Sequence, residues 1–230
     1  MKKTINLFLI IILTFAASIV HAQHVEERSL PDFSKIRTGG SWDVILRKGD
    51  RPEVKLEAKN LDLDRVITEV DNGTLNIHLE KGNYRNVDLT VYVTFVDLGQ
   101  IHSGGSGNFK TMSDLIAEDL EVNLSGSGDA FFTSLETDEL HLTMSGSGNV
   151  EVKEGTVGKI RVEQSGSGNF KAIGLETEEA EISKSGSGNV ALTVNQALSV
   201  RSSGSGNVEY QGNPEMNDIR ITGSGRVIKK

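Results

Sequence analysis

The chain has 230 residues, 24 basic and 32 acidic side chains, and no cysteine. That length holds one sizeable domain or two small ones, and without cysteine neither disulfides nor thiolate metal sites can brace it. The acidic balance and the absence of Lys/Arg clusters exclude nucleic acid as a partner, because phosphate backbones are gripped by clustered cations.

Residues 1–22 read as a secretory signal peptide. Lys2 and Lys3 precede an apolar run from Ile5 to Val20, and Val20-His21-Ala22 supplies small or branched residues before a cleavage point after Ala22. The run is marginal in length for a bilayer span, and no cysteine follows it to take a lipid. Cleavage removes Lys2 and Lys3, leaving 22 basic against 32 acidic residues and a net charge of −10. Nothing after Gln23 is long and apolar enough for a transmembrane helix. The mature chain is therefore expected to be exported, to the periplasm, the outer-membrane surface or the medium, with no transmembrane segment.

Residues 23–100 form an irregular β-rich part. The stretches SWDVILRKGD, EVKLEAKN, GTLNIHLEKG and VDLTVYVTF alternate apolar and polar residues, the period-2 mark of strands. Lys48-Gly49-Asp50, Asp71-Asn72-Gly73 and Lys81-Gly82-Asn83 supply turns between them. Asn60–Val66 reads as a short helical turn. The segment is expected to be a set of broad, irregular β-coils or a cap over the N-terminal end.

Residues 101–230 repeat. The second glycine of each Gly-Ser-Gly falls at Gly107, Gly128, Gly148, Gly168, Gly188, Gly206 and Gly225, in steps of 21, 20, 20, 20, 18 and 19. A flexible Gly/Ser linker has no reason to keep such a period. Between the glycines, Leu140, Leu142, Met144, Val150 and Val152 alternate with polar residues, and the neighbouring repeats match them. On formal parity Gly146 and Gly148 share the apolar face, and the serines and asparagines share the other. A 20-residue path at about 3.3 Å per residue is roughly 66 Å, one closed coil of two or three short strands. The fold class is therefore all-β, a parallel β-solenoid (β-helix-like) with coils of about 20 residues. Residues 23–230 read as one continuous domain. In-register stacking predicts that Arg161 lies beside Glu181, and Glu151 beside Lys171, about 5 Å apart. Gln164, Lys184 and Ser202 interrupt one inward slot and are expected near a corner.

Catalytic, cofactor-binding and metal-binding residues are all read as none. No repeat has the Gly-x-Ser-x-Gly spacing of a nucleophile elbow, and His24, His78, His102 and His141 share no common environment. Calcium-binding solenoids use a nine-residue period rich in carboxylates, whereas only Asp129 is acidic at the Asn position here. A phosphate loop needs a strand-to-helix setting and a lysine. Ice binding would want a regular Thr-x-Thr file, which is absent. The column Glu121, His141, Arg161, Glu181 reads as a salt-bridge ladder on adjacent strands. The acids of LETDEL and LETEEA read as solvated charge on loops.

The candidate ligand-binding surface is the outward ladder Ser127, Ser147, Ser167, Ser187 and Ser205 with Asn149, Asn169, Asn189 and Asn207, which offers many donors and acceptors. The bland alternative is that these residues only satisfy turns.

The order of motifs resembles the head GIN domain family. FSKIRTGGSWDVILRKGDRPEVKLEAKN, then GTLNIHL, then VYVTFVDLGQIHSGGSGNF, lead into repeated Ser-Gly-Ser-Gly-Asn. The likeness runs from about Asp32 to Val227. Phe95-Val96-Asp97 stands where the family usually carries a proline before the first repeat. The family is described as the heads of autotransporter adhesins, with exported members common in Bacteroidetes-type bacteria. The resemblance implies an all-β solenoid that adheres or binds, and it supplies no catalytic residues.

The reading that follows is a non-enzymatic exported module that binds a surface glycan or protein. The alternatives are a carbohydrate-active β-helix enzyme, since solenoids host such enzymes, or a purely structural envelope protein. An uncapped solenoid end would also allow a homo-oligomer.

Overall fold

The structure, a computed structural model, describes residues 24–230. The expected signal segment, 1–22, lies outside the described residues. Among the described residues seventeen strands form a single sheet wound on itself. The first seven are β1 (His24–Ser29), β2 (Lys35–Gly40), β3 (Asp43–Lys48), β4 (Glu53–Lys59), β5 (Val66–Asp71), β6 (Thr74–Leu79) and β7 (Asp88–Phe95). Leu63–Arg65 makes the short 3-10 turn expected near that point, capped by the Asp62 carboxylate on the Asp64 amide. The regular part comprises β8 (Gln100–Gly105), β9 (Phe109–Thr111), β10 (Asp114–Gly126), β11 (Ala130–Gly146), β12 (Val150–Gly166), β13 (Phe170–Gly186), β14 (Val190–Gly204), β15 (Val208–Gln211), β16 (Glu215–Gly223) and β17 (Val227–Lys229).

Successive coils pair in parallel and in register. Arg161 aligns with Glu181 and Glu151 with Lys171, as the 20-residue step requires. The 18-residue step between Gly188 and Gly206 appears as two register slips, at Ala172/Glu176 and Thr177/Glu179.

The inward residues explain the cross-section. In the coil from Ala130, the buried positions are Ala130 and Phe132, then Leu135 and Thr137, then Leu140, Leu142 and Met144. Alternation is kept within each group and slips by one residue between groups. Each slip turns the next inward residue onto a new side, so a coil has three sides around one apolar core. The acids of LETDEL and LETEEA lie on these strands, not on loops: Glu136 and Glu139 belong to β11, and Glu176 and Glu179 to β13. A strand that turns between sides keeps its ladder to both neighbours, so no loop is needed.

The first coil begins well before the period becomes visible. Strand β2 pairs in parallel with β8, Thr38 facing Ser103 and Gly40 facing Gly105. Strand β3 pairs in the same way with β9. The chain then leaves the solenoid for residues 49–99 and returns at β8. In that excursion β4 pairs antiparallel with β1 and β7, and β5 with β6. Strands β6 and β7 pair with the outer edges of β2 and β3, closing the N-terminal end.

Candidate binding surface

The Ser-Gly-Ser-Gly-Asn motif forms one corner of every coil. Gly146 has φ +123°, and equivalent left-handed values recur at Gly126, Gly166, Gly186 and Gly204. This conformation turns the chain without a side chain to oppose it. Formal parity therefore fails at this glycine, which is exposed, whereas the second glycine of the motif tucks under the bend and is buried at Gly168, Gly188 and Gly206. A Cβ on Gly148 would stand 2.0 Å from the carbonyl oxygen of Gly128 in the coil before. The glycines are the reason the coils can stack at this corner.

The second serine of each motif sits at the bend. Ser127, Ser147, Ser167, Ser187 and Ser205 are exposed. Each backbone amide is tied to the preceding coil, as when Ser147 donates to Gly126 O at 2.9 Å and Ser167 to Gly146 O at 2.9 Å. The asparagines form a continuous side-chain ladder. Asn169 donates its backbone N–H (3.0 Å) and its Nδ2 (2.9 Å) to Asn149 Oδ1. Asn189 does the same to Asn169, and Asn149 to the carboxylate of Asp129. The ladder starts at Asp43, which accepts from Asn108. It ends where Asn207 Oδ1, itself following Asn189, accepts the Arg226 amide. Bending exposes an amide that the sheet no longer pairs, and the asparagine one coil earlier supplies its acceptor. Asn149, Asn169, Asn189 and Asn207 thus spend their Oδ1 atoms on the fold.

A second column of serines was not singled out in the sequence. The first serine of each motif, Ser145, Ser165, Ser185 and Ser203, is still on a strand and exposed. These hydroxyls line a shallow depression of about 610 Å³, with Arg201 and Arg220 on its wall. A further hollow of about 370 Å³ adjoins it through Glu163, Ser183 and Arg201. The clue was available: both serines of the motif repeat equally, but only the first keeps strand parity.

Charges on this side are paired. Glu181 takes Lys159 at 2.7 Å and Arg161 at 2.9 Å. Those two cations hold its carboxyl below the usual carboxylate range, against a smaller opposing push from burial. Such a group stays ionised and is poorly suited to donate a proton at neutral pH. His141 lies 3.6 Å from Glu163, and Gln100 donates to Glu121 at 2.9 Å. The column Glu121, His141, Arg161, Glu181 is therefore a polar ladder. Among the described residues no three His, Asp or Glu side chains gather as metal ligands.

Beneath the depression the inward slot before the corner carries Met144, Gln164, Lys184 and Ser202 in register. Gln164, Lys184 and Ser202 are buried just before the bend. Lys184 is 3% exposed and donates from Nζ to Gly206 O at 2.9 Å. Burial pushes its ammonium below the usual lysine value. Gln164 donates from Nε2 to Gly168 O.

These features define a class: an N-terminally capped parallel β-solenoid with a glycine corner, an asparagine ladder and a hydroxyl-rich outer side. The chain belongs to the family described as "Putative auto-transporter adhesin, head GIN domain", whose model matches residues 32–214. Among solved structures it is similar to a putative adhesin from Bacteroides fragilis, with TM-score 0.82 and 19% identity over 91% of this chain and 97% of that one. A putative adhesin from Parabacteroides merdae matches with TM-score 0.74 and 18% identity, over 90% and 96%. A putative lipid binding protein from Parabacteroides distasonis matches with TM-score 0.70 and 25% identity, again over 90% and 96%. No curated protein matches the chain.

Proposed function

We propose that this protein is a non-enzymatic binding module of the cell exterior that holds an extended glycan along its solenoid axis. The observation that carries the proposal is the depression in which Ser145, Ser165, Ser185 and Ser203 repeat one per coil beside Arg201 and Arg220. Neighbouring rungs lie about 4.8 Å apart, so a polymer lying along the axis meets the same donor and acceptor again at each step. Many weak contacts to one polymer add up, as multivalent contacts do. Family membership supports an adhesive role, and the signal-like N-terminus supports export. The serine and asparagine ridge at the corner borders the same side and can contribute its exposed hydroxyls. The lipid-binding description of one neighbour carries less weight here, because the depression is shallow and, Met144 apart, carries Ser, Thr, Gln and charged side chains.

The test is a glycan array probed with the purified protein, together with localisation of the protein on intact cells. Retention of an extended polysaccharide is expected, falling at least tenfold in Ser185→Tyr, which fills the depression while leaving the fold intact. Absence of any glycan signal from a surface-located protein would refute the proposal. Shortening of the polysaccharide on the array would show an enzyme instead.

A further inference from the structure

The two ends of the solenoid are unlike. At the N-terminal end the outer edges of the first coil are already taken by β6 and β7. At the other end β16 pairs only inward, with β14, and β17 with β15. Among the described residues nothing pairs with the outer edge of β16. Its core-facing residues show the consequence. Met216, Ile219 and Ile221 align with Leu198, Val200 and Ser202 of the coil below, yet are 41%, 38% and 37% exposed. An open edge with apolar residues is a template for another strand.

We propose that a second copy of this chain covers this end, the two solenoids stacking tail to tail about a two-fold axis through Ile219. This inference is independent of the glycan reading. Three observations select this partner and this register.

The first is the direction of the free backbone groups. In a parallel ladder alternate residues bond to opposite neighbours. Glu121 and Ser127 both donate to the coil before them, and Ser224 donates to Gly204 in the same way. By that alternation the N–H and C=O groups of Arg220 and Thr222 face β14, and those of Ile219 and Ile221 face outward. An antiparallel partner centred on Ile219 makes Ile219 and the partner's Ile219 a pair that exchanges two hydrogen bonds.

The second is charge. Within one chain Asp218 accepts from Arg201 at 2.6 Å and from Arg220 at 2.9 Å; the same register sets Asp218 opposite the partner's Arg220, and Arg220 opposite the partner's Asp218, all on the outer side, so the two pairs join into one network across the axis. Directly opposed charges of opposite sign favour a strand pair and like charges disfavour it. Shifting the axis by one residue, to Asp218 or Arg220, would place like charges face to face.

The third is continuity. A two-fold normal to this side leaves the inward side inward, so the exposed Ile219 and Ile221 of both copies complete one core. At the other end β6 and β7 already pair with the first coil, so a head-to-tail contact could not continue its ladder, whereas tail-to-tail pairing about a two-fold axis closes as a dimer.

The chain has no cysteine, which makes the register directly testable. Hydrogen-bonded antiparallel partners have Cα atoms about 5.5 Å apart, within the roughly 4.4–6.8 Å that a disulfide spans. Ile219→Cys should link to itself under mild oxidation, while Ser147→Cys, at the corner ridge, should stay unlinked. Sedimentation equilibrium should give twice the chain mass for the parent. In Arg220→Asp, which sets Asp opposite Asp and also removes the Arg220 bond to Asp218 of its own chain, the dissociation constant should rise at least tenfold, with the β-sheet circular dichroism spectrum of the parent retained and a melting temperature that falls at dimer-forming concentrations, as loss of a bound partner requires. A parent that is monomeric across a hundredfold concentration range overturns the proposal. So do equal linking at both cysteine positions and an unchanged dissociation constant in Arg220→Asp.

Discussion

Replacing Gly148 by alanine tests whether the repeated motif is an architectural corner. The added Cβ would stand 2.0 Å from Gly128 O and 3.0 Å from Gly128 C. A contact of about 3.2 Å is the least that carbon and oxygen tolerate, so the rungs must separate locally by roughly 1.2 Å, against a normal spacing of about 4.8 Å. That opening strains the Ser147 bond to Gly126 and the Asn149 bonds to Asp129. Overpacking of this kind costs about 1–3 kcal/mol, and each of the three weakened bonds about 1 kcal/mol more, so a loss of roughly 4–6 kcal/mol is expected. Gly73→Ala is the control: φ is +72° there but nothing lies within 4 Å of the added carbon. It carries only the conformational cost, about 1 kcal/mol. Urea unfolding of both variants gives the comparison, with Ser147→Ala expected below about 1 kcal/mol. If Gly148→Ala unfolds within about 0.5 kcal/mol of the parent, the coils are not packed against each other at this corner.

Two further outcomes follow from neighbouring rungs. Asn169→Ala removes the acceptor of two Asn189 donors and the donor to Asn149, so it should cost about 1–3 kcal/mol in the same unfolding assay, while Ser167→Ala costs under about 1 kcal/mol; equal small effects would mean the ladder is ornamental to stability. Lys184→Met places in the slot the residue already used at Met144, and should stabilise by about 1–2 kcal/mol at neutral pH by removing a buried ammonium. The sign of its pH dependence is fixed by the lowered folded value. Between the folded value and the ordinary lysine value near 10.5 the unfolded chain binds more protons, so parent stability rises with pH across that window. The Lys184→Met variant should lack that rise, and a destabilised variant would show that the bond to Gly206 outweighs the desolvation.

The solenoid was legible in the sequence because one physical requirement, room for a bend above another bend, repeats the same letters once per coil. The register followed from the same spacing, and Arg161 beside Glu181 confirms it. The first coil was hidden. Gly39-Gly40-Ser41 repeats the letters of Gly104-Gly105-Ser106, and Thr38 stands in register with Ser103, but the whole N-terminal excursion separates them and Trp42 replaces the second glycine. Periodicity cannot show a pairing whose spacing occurs once. The candidate surface was only half visible. Ser147 and Ser145 look alike as letters, and which one lines the depression depends on where the left-handed glycine turns the chain. The asparagine ladder was equally ambiguous, because an exposed amide that binds a ligand and one that binds the next coil have the same pattern.

The excursion between β3 and β8 also governs the order in which the protein can fold. Each coil in the repeat closes on the coil just before it, whereas the solenoid partner of Lys35 is Gln100, on the far side of the whole excursion. Closing the longer loop costs more entropy before any contact repays it. Nucleation therefore belongs to β10–β14, where each new rung needs only the one before it, and the first coil joins a template already built. A chain that emerges N-terminus first thus carries its slowest-closing rung in front, and its first coil joins the rod only after the repeats behind it appear. The excursion that closes one end of the finished rod also delays its assembly until the chain is through.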